Sequence, residues 1–196
     1  MHVTFVCEAN QARSPAAAAL FTAELRRHRP GDAAWTVTSA GVFATAGVPA
    51  LPAMQDLAAA RGLDLSAHRS RGLDEHATAI ADLLLTMTRE QADLIGARTN
   101  GVVTRCFVLD ELVALLTAVR DEPVPTGAPD GATAVVGLPP TPRERIAAAH
   151  ARRPFRRSDP ADDVADPLEG SGVTPEATFA RLERSVAALG TLLLGA

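Results

Sequence analysis

The chain is predicted to adopt an α/β fold: three layers, with a four-stranded parallel sheet covered by helices on both faces. Two observations carry that prediction. Short runs of β-forming residues alternate with longer helical stretches along most of the chain, and such alternation makes a parallel sheet buried on both sides. Hydrophobic residues make up 47% of the 196 residues, enough to fill a sizeable core.

The elements follow in order. His2-Val3-Thr4-Phe5-Val6 reads as a short buried strand. Ser14 is placed to cap the next helix, Pro15 fits its first turn, and Ala16 to Leu25 has strong helix propensity. A second strand is read from Ala34 to Ser39, then a helix from Pro49 to Arg61 stopped by Gly62. Leu83 to Met87 is the third strand, and Thr88-Arg89-Glu90-Gln91 opens another helix. Arg105 to Leu109 is the fourth strand, with Asp110 capping a helix that runs to about Ala118. Over residues 120–140, Pro123, Pro125, Gly127, Pro129, Gly131, Pro139 and Pro140 break any regular element. This is a loop longer than compact domains normally carry. Thr141-Pro142-Arg143-Glu144 has the form of a capping box with proline at the first helical position, starting a short helix to about Arg153. Arg152, Arg153, Arg156 and Arg157 follow. They read as a solvated face or an anchor for the loop, or as a collar that draws anions toward a site. The last helix starts at Thr174-Pro175-Glu176, and Phe179, Leu182, Val186, Leu189 and Leu193 mark its core face. The whole is expected to be one domain over 1–196, with a Pro/Gly/Arg-rich excursion at about 120–163.

The chemistry is concentrated in Val6-Cys7-Glu8-Ala9-Asn10-Gln11-Ala12-Arg13-Ser14-Pro15. Cys-x5-Arg-Ser between a strand and a helix sets a thiolate beneath a phosphate-sized oxyanion. The backbone N–H groups between them can curl round the anion, and the helix N-terminus adds its partial positive charge. Arg13 offers a planar fork for two oxygens. The same field favours the thiolate form of Cys7. Asn10 sits in mid-loop, where a left-handed backbone is expected and Asn tolerates it. Ser14 is also placed to donate its hydroxyl to the Cys7 sulfur.

Composition excludes several classes. The net charge is −4, which gives no sign of bulk nucleic-acid binding. No lysine is present, so all 19 basic residues are Arg. There is no tyrosine either, so the protein cannot be regulated through phosphorylation of its own tyrosines. Cys7 and Cys106 do not read as a disulfide framework. No signal peptide is read at the N-terminus and no apolar run approaches a membrane span, so a cytoplasmic location is expected.

These residues resemble the low-molecular-weight protein tyrosine phosphatases. Most members of that family read Val-Cys-x-x-Asn-x-x-Arg-Ser-Pro, which positions 6–15 match. Ser39-Ala40-Gly41, Gly62-Leu63-Asp64-Leu65-Ser66-Ala67-His68-Arg69-Ser70-Arg71, the Asp82–Thr88 segment and Asp166-Pro167 follow in the family's order. The resemblance covers residues 2 to about 118 and 164 to 194. It implies a phosphate monoester hydrolase that works through a cysteinyl-phosphate. Cys7 would be the nucleophile, Arg13 the transition-state clamp and Asp166 the general acid and base, with Pro167 stiffening its turn. Residues Glu8, Ala9, Asn10, Gln11, Ala12, Arg13 and Ser14 would form the phosphate-binding loop, and Asn10, Ser39 and His68 a brace beneath it. A phosphorylated protein or small aryl phosphate is the expected partner, and no cofactor or metal is expected.

The chain also departs from the family. Ala12 stands where members commonly carry a second, protective cysteine. Leu168 and Glu169 follow Asp-Pro where tyrosine phosphatases usually place aromatic residues, and Glu8 occupies a position that is often apolar. Two competing readings remain on this fold. Arsenate reduction through a disulfide relay needs more cysteines than Cys106 alone, although coupling to a small thiol needs only Cys7. An inactive phosphoprotein-binding relative would typically lack Cys, Arg or Asp, and all three are here.

Overall fold

A computed structural model describes residues 1–121, 137–168 and 172–195. Its sheet has four parallel strands in the order β2-β1-β3-β4, with β1 at His2–Cys7, β2 at Thr36–Gly41, β3 at Leu83–Thr86 and β4 at Cys106–Val108. The helices are α1 (Arg13–His28), α2 (Pro52–Ala59), α3 (Glu75–Ile80), α4 (Arg89–Arg98), α5 (Leu109–Asp121), α6 (Pro142–Arg152) and α7 (Pro175–Leu194). The expected three-layer α/β arrangement is therefore present. The Pro- and Gly-rich stretch over 122–136, and Glu169, lie outside the described residues.

Strand alternation divides the core between the two faces of the sheet. Val3, Phe5 and Cys7 of β1 join a large cluster with Phe21 of α1, Leu112 and Leu116 of α5, Ile146 and Ala149 of α6, and Phe179 and Leu189 of α7. Val6 points the other way, into a smaller cluster with Leu84, Val108, Ala92 and Ile95 of α4, and Cys106. The Phe5 and Phe21 rings meet tilted at 5.6 Å between centroids, within the favourable range for aromatic pairs. The expected stripe on α7 is buried in the large cluster.

The capping box formed as read, and the start read for the last helix holds. Thr141 and Glu144 make the reciprocal capping box on α6, and Thr174 accepts from Ala177 N on α7. Two caps did not form as read. Ser14 does not cap α1: the helix begins two residues earlier than that cap would give, with Ala12 at the N-cap and no side-chain cap bond. Asp110 lies inside the first turn of α5, which starts at Leu109, and its carboxylate pairs with Arg181 at 2.8 Å. Helix α3, capped by Asp74 through Ala77 N at 2.7 Å, lies in a stretch not read as helical.

Strand order reverses at β1, since β2 lies on one side of it and β3 on the other. The chain leaving the carboxyl ends of β1 and β3 therefore flanks a crevice, where α/β sheets bind ligands. Both halves of the candidate site converge there.

Candidate active site

Residues 8–12 link the end of β1 to the start of α1, and one side chain holds this turn. Asn10 is fully buried and has the left-handed φ expected of it, 56°. Its Nδ2 donates to Ser14 Oγ and to Ser39 Oγ, both at 2.9 Å. Its Oδ1 accepts the Arg71 N–H at 3.0 Å, and its carbonyl accepts from His68 Nε2 at 2.7 Å. Both donor hydrogens and the side-chain acceptor are thus used. The bond to a carbonyl fixes the His68 tautomer with its proton on Nε2.

Ser14 Oγ lies 3.1 Å from Cys7 Sγ and 3.2 Å from the Ala40 carbonyl. The hydroxyl donates to the Ala40 carbonyl and sits against the sulfur. Ser14 therefore lies within hydrogen-bond distance of the Cys7 sulfur, and it does not cap α1. The N–H groups of Ala9, Asn10, Gln11, Ala12 and Arg13 meet no acceptor among the described residues.

Gly41, at the end of β2, closes the floor. A Cβ there would lie 2.5 Å from the Glu8 carbonyl oxygen and 2.9 Å from Asn10 N. Only glycine lets the backbone approach the loop this closely. Arg71 adds a further strut, its Nε donating to the Ser39 carbonyl at 2.8 Å. Sequence reading quoted Gly41 and Arg71 within motifs but gave neither a role. The signal was present, because both stand beside residues that were assigned.

The second half arrives from far along the chain. Arg13 is 2% exposed although it carries a charge. Its NH1 donates to the Val164 carbonyl at 3.0 Å, and its NH2 forms a hydrogen-bonded ion pair with Asp166. Its Nε is buried and has no partner among the described residues. Val164 N donates to the Met87 carbonyl at 2.8 Å, and Asp163 accepts the Arg89 N–H at 2.8 Å. Those bonds hang the Asp166 segment from the β3–α4 junction. Leu168 N donates back to Asp166 Oδ1 at 3.0 Å across the Asp166-Pro167 turn. Leu168 is exposed on the far side of Pro167, and Phe43 is exposed after β2.

The arginine cluster acts as an anchor. Arg153 grips Glu111 through Nε and NH2 at 3.1 and 3.2 Å, donates to the Val103 and Cys106 carbonyls at 2.7 Å, and lies 4.0 Å from the Phe107 centroid. Arg156 binds Asp162 through two bonds of 2.6 and 2.8 Å. Arg157 is exposed.

The sequence-predicted residues Cys7, Arg13, Ser14, Asn10, Ser39, His68 and Asp166 are thus brought together, with Pro167 beside the last. Cys106 is not among them. It lies in β4, in the core on the opposite face of the sheet from Cys7, and burial pushes its thiol up to about 12. Among the described residues no group of three His, Cys, Asp or Glu side chains could hold a metal ion. Among them, too, no helix is long and apolar enough to cross a membrane.

Residues 2–122 match the family of low molecular weight phosphotyrosine protein phosphatases. The match spans more than half of the chain, and the protein belongs to that family. It is 36% identical over 110 residues to a probable low molecular weight protein-tyrosine-phosphatase, EpsP, of Ralstonia nicotianae, covering 56% of this chain and 71% of that one. It is 34% identical over 113 residues to a protein-arginine-phosphatase of Bacillus subtilis, covering 58% and 73%. The crystal structure of a YwlE mutant from Bacillus subtilis superposes with a TM-score of 0.67 at 26% identity, covering 98% of each chain.

Proposed function

We propose that this protein hydrolyses phosphate monoesters on protein substrates through a cysteinyl-phosphate, with phosphotyrosine as the substrate. One observation carries the reading: the fold lays Asp166 on Arg13, 153 residues away in the chain, at the mouth of the loop that holds Cys7.

The phosphate enters the loop. Its oxygens take up the open N–H groups and the free Arg13 Nε, and Asp166 gives up its hold on NH2 to face the leaving group. Cys7 thiolate attacks phosphorus and forms the S–P bond as the ester P–O bond breaks. Asp166 gives its proton to the departing oxygen, an assistance worth roughly 10²–10⁴-fold. Arg13 and the amides stabilise charge on the equatorial oxygens. Water then attacks phosphorus, passing its proton to the Asp166 carboxylate. The S–P bond breaks, inorganic phosphate leaves, and the Ser14 hydroxyl stabilises the regenerated thiolate. Residues 142–168 belong to the same domain in this reading, because α6 places Ile146 and Ala149 in the core shared with α5 and α7.

Steady-state hydrolysis of an aryl phosphate tests the assignment. Cys7→Ser is expected to abolish turnover while the protein keeps its fold and still binds inorganic phosphate. Asp166→Ala is expected to slow turnover by roughly 10²-fold or more, most for poor leaving groups. Full activity in Cys7→Ser rejects the nucleophile. Phe43 and Leu168 offer apolar surface for a tyrosyl ring. A second reading, phosphoarginine, is favoured by Glu8 beside the nucleophile and by the similarity to a protein-arginine-phosphatase. Relative kcat/KM on phosphotyrosyl and phosphoarginyl peptides separates the two.

A further inference from the structure

Beside the phosphate loop lies a groove of about 190 Å³, lined by Glu8, Val42, Phe43, Glu90, Gln91 and Leu94. Sites for whole small molecules usually span roughly 300 Å³ or more, so this one is the size of a single side chain of a larger substrate. Three elements build it: the residue next to Cys7, the segment after β2 and the first turns of α4.

Its chemistry is one-sided. Two carboxylates line it and no cation does. Glu90 is exposed and forms no ion pair among the described residues. Arg89, its neighbour in sequence, is turned away to Glu111 at 2.6 Å. Phe43 is 60% exposed, and aromatic faces attract cations. Arg98 already shows that affinity, with its guanidinium 5.4 Å from the Phe43 centroid, from an adjoining cavity that Asp74 and Glu75 also line.

Gln91 supplies an independent sign of a ligand. It is only 4% exposed, and its Oε1 accepts the Met87 N–H at 3.0 Å. Its Nε2 meets no acceptor among the described residues. The rest of Gln91 is packed away, so this amide is a fixed donor opening onto the groove that Gln91 lines.

We infer that this groove is a substrate subsite. It takes an arginine or lysine side chain that flanks the phosphorylated residue, while Gln91 Nε2 donates to a carbonyl of the same peptide. The inference rests on the phosphatase reading above and names the substrate class of that site: phosphoproteins with a basic residue near the phosphate.

The test is kcat/KM on phosphotyrosyl peptides that differ only by Arg or Ala at each position from two before the phosphotyrosine to two after it. At one position Arg is expected to be preferred roughly five- to tenfold. High salt should weaken that preference, and Glu90→Gln should move the Arg/Ala ratio toward one. Equal rates on every pair, with aryl phosphate still hydrolysed, overturn the subsite and leave the phosphatase reading standing. No turnover of any substrate overturns both. A Glu90-dependent preference for phosphoarginine without any effect of flanking charge also overturns the subsite, because the groove would then hold the phosphorylated residue's own guanidinium.

Discussion

The two halves of this site are fastened by different forces. Residues 7–14 are held by neutral hydrogen bonds at buried groups, centred on Asn10 and Ser14. The segment that brings Asp166 has two bonds to the main chain of the β3–α4 junction and is otherwise held by arginines gripping carboxylates: Arg153 on Glu111, Arg156 on Asp162 and Arg181 on Asp110. In the mechanism proposed above, the contrast follows from what each half must do. A cradle for a transition state needs its donors fixed within a fraction of an ångström, and short buried bonds achieve that. An acid that delivers one proton needs only to be brought within reach, and charged tethers suffice. Arg13 is the seam, a member of the first half whose fork grips the second.

Breaking the first half should have the largest effect. Asn10→Ala removes three side-chain bonds, leaves the Arg71 N–H unpaired and puts alanine at a left-handed φ. A loss of about 3–5 kcal/mol is expected in denaturant unfolding, with kcat down roughly 10²-fold on aryl phosphate. Loss of stability without loss of kcat in the folded fraction would show that the brace does not shape the cradle.

Breaking the second half should do less. Arg153→Met strips a buried carboxylate of one of its two arginine partners, since Glu111 keeps Arg89. About 2–3 kcal/mol of stability should go. Turnover should fall several-fold for poor leaving groups and little for good ones, because only proton delivery is loosened. An equal fall for both would mean that the tether also supports the cradle.

The smallest effect sharpens the contrast between the cysteines. Burial holds Cys106 protonated up to about pH 12, whereas in the unfolded chain it ionises near 8.5–9. Above that lower value the unfolded state has lost a proton that the native state keeps, so stability falls as pH rises, by about 1.4 kcal/mol per unit. Cys106→Ala should remove that slope in unfolding curves measured between pH 9 and 11. Iodoacetamide at neutral pH should label Cys7 and spare Cys106.

The cradle was legible in the sequence because its parts are contiguous. Cys7, Asn10, Arg13 and Ser14 lie within one turn, between a β-rich run and a helical one. The left-handed Asn10 could be read from residue type alone. The cap was misplaced by two residues, from Ala12 to Ser14, because Arg13 is itself the first residue of α1, and local propensity does not resolve such a shift. The tethered half was legible only at its tip, Asp166-Pro167. Its fastenings, such as Val164 to Met87 and Arg153 to Glu111, join residues far apart in the chain, and no periodicity marks them. Helix α3 was missed because six residues are too few to show a helical repeat.

The absence of lysine has a consequence for the clasp of arginine–carboxylate pairs that holds the Asp166 segment. A guanidinium keeps its charge at any pH at which the enzyme can be assayed, so alkaline conditions that would discharge an ammonium leave the clasp closed. Acetylation and amine-directed cross-linkers find no target in it. From neutral to alkaline pH ionic strength is the agent left to loosen it, and only acid, by protonating the carboxylates, opens it through pH, which makes salt the natural probe of how Asp166 is presented.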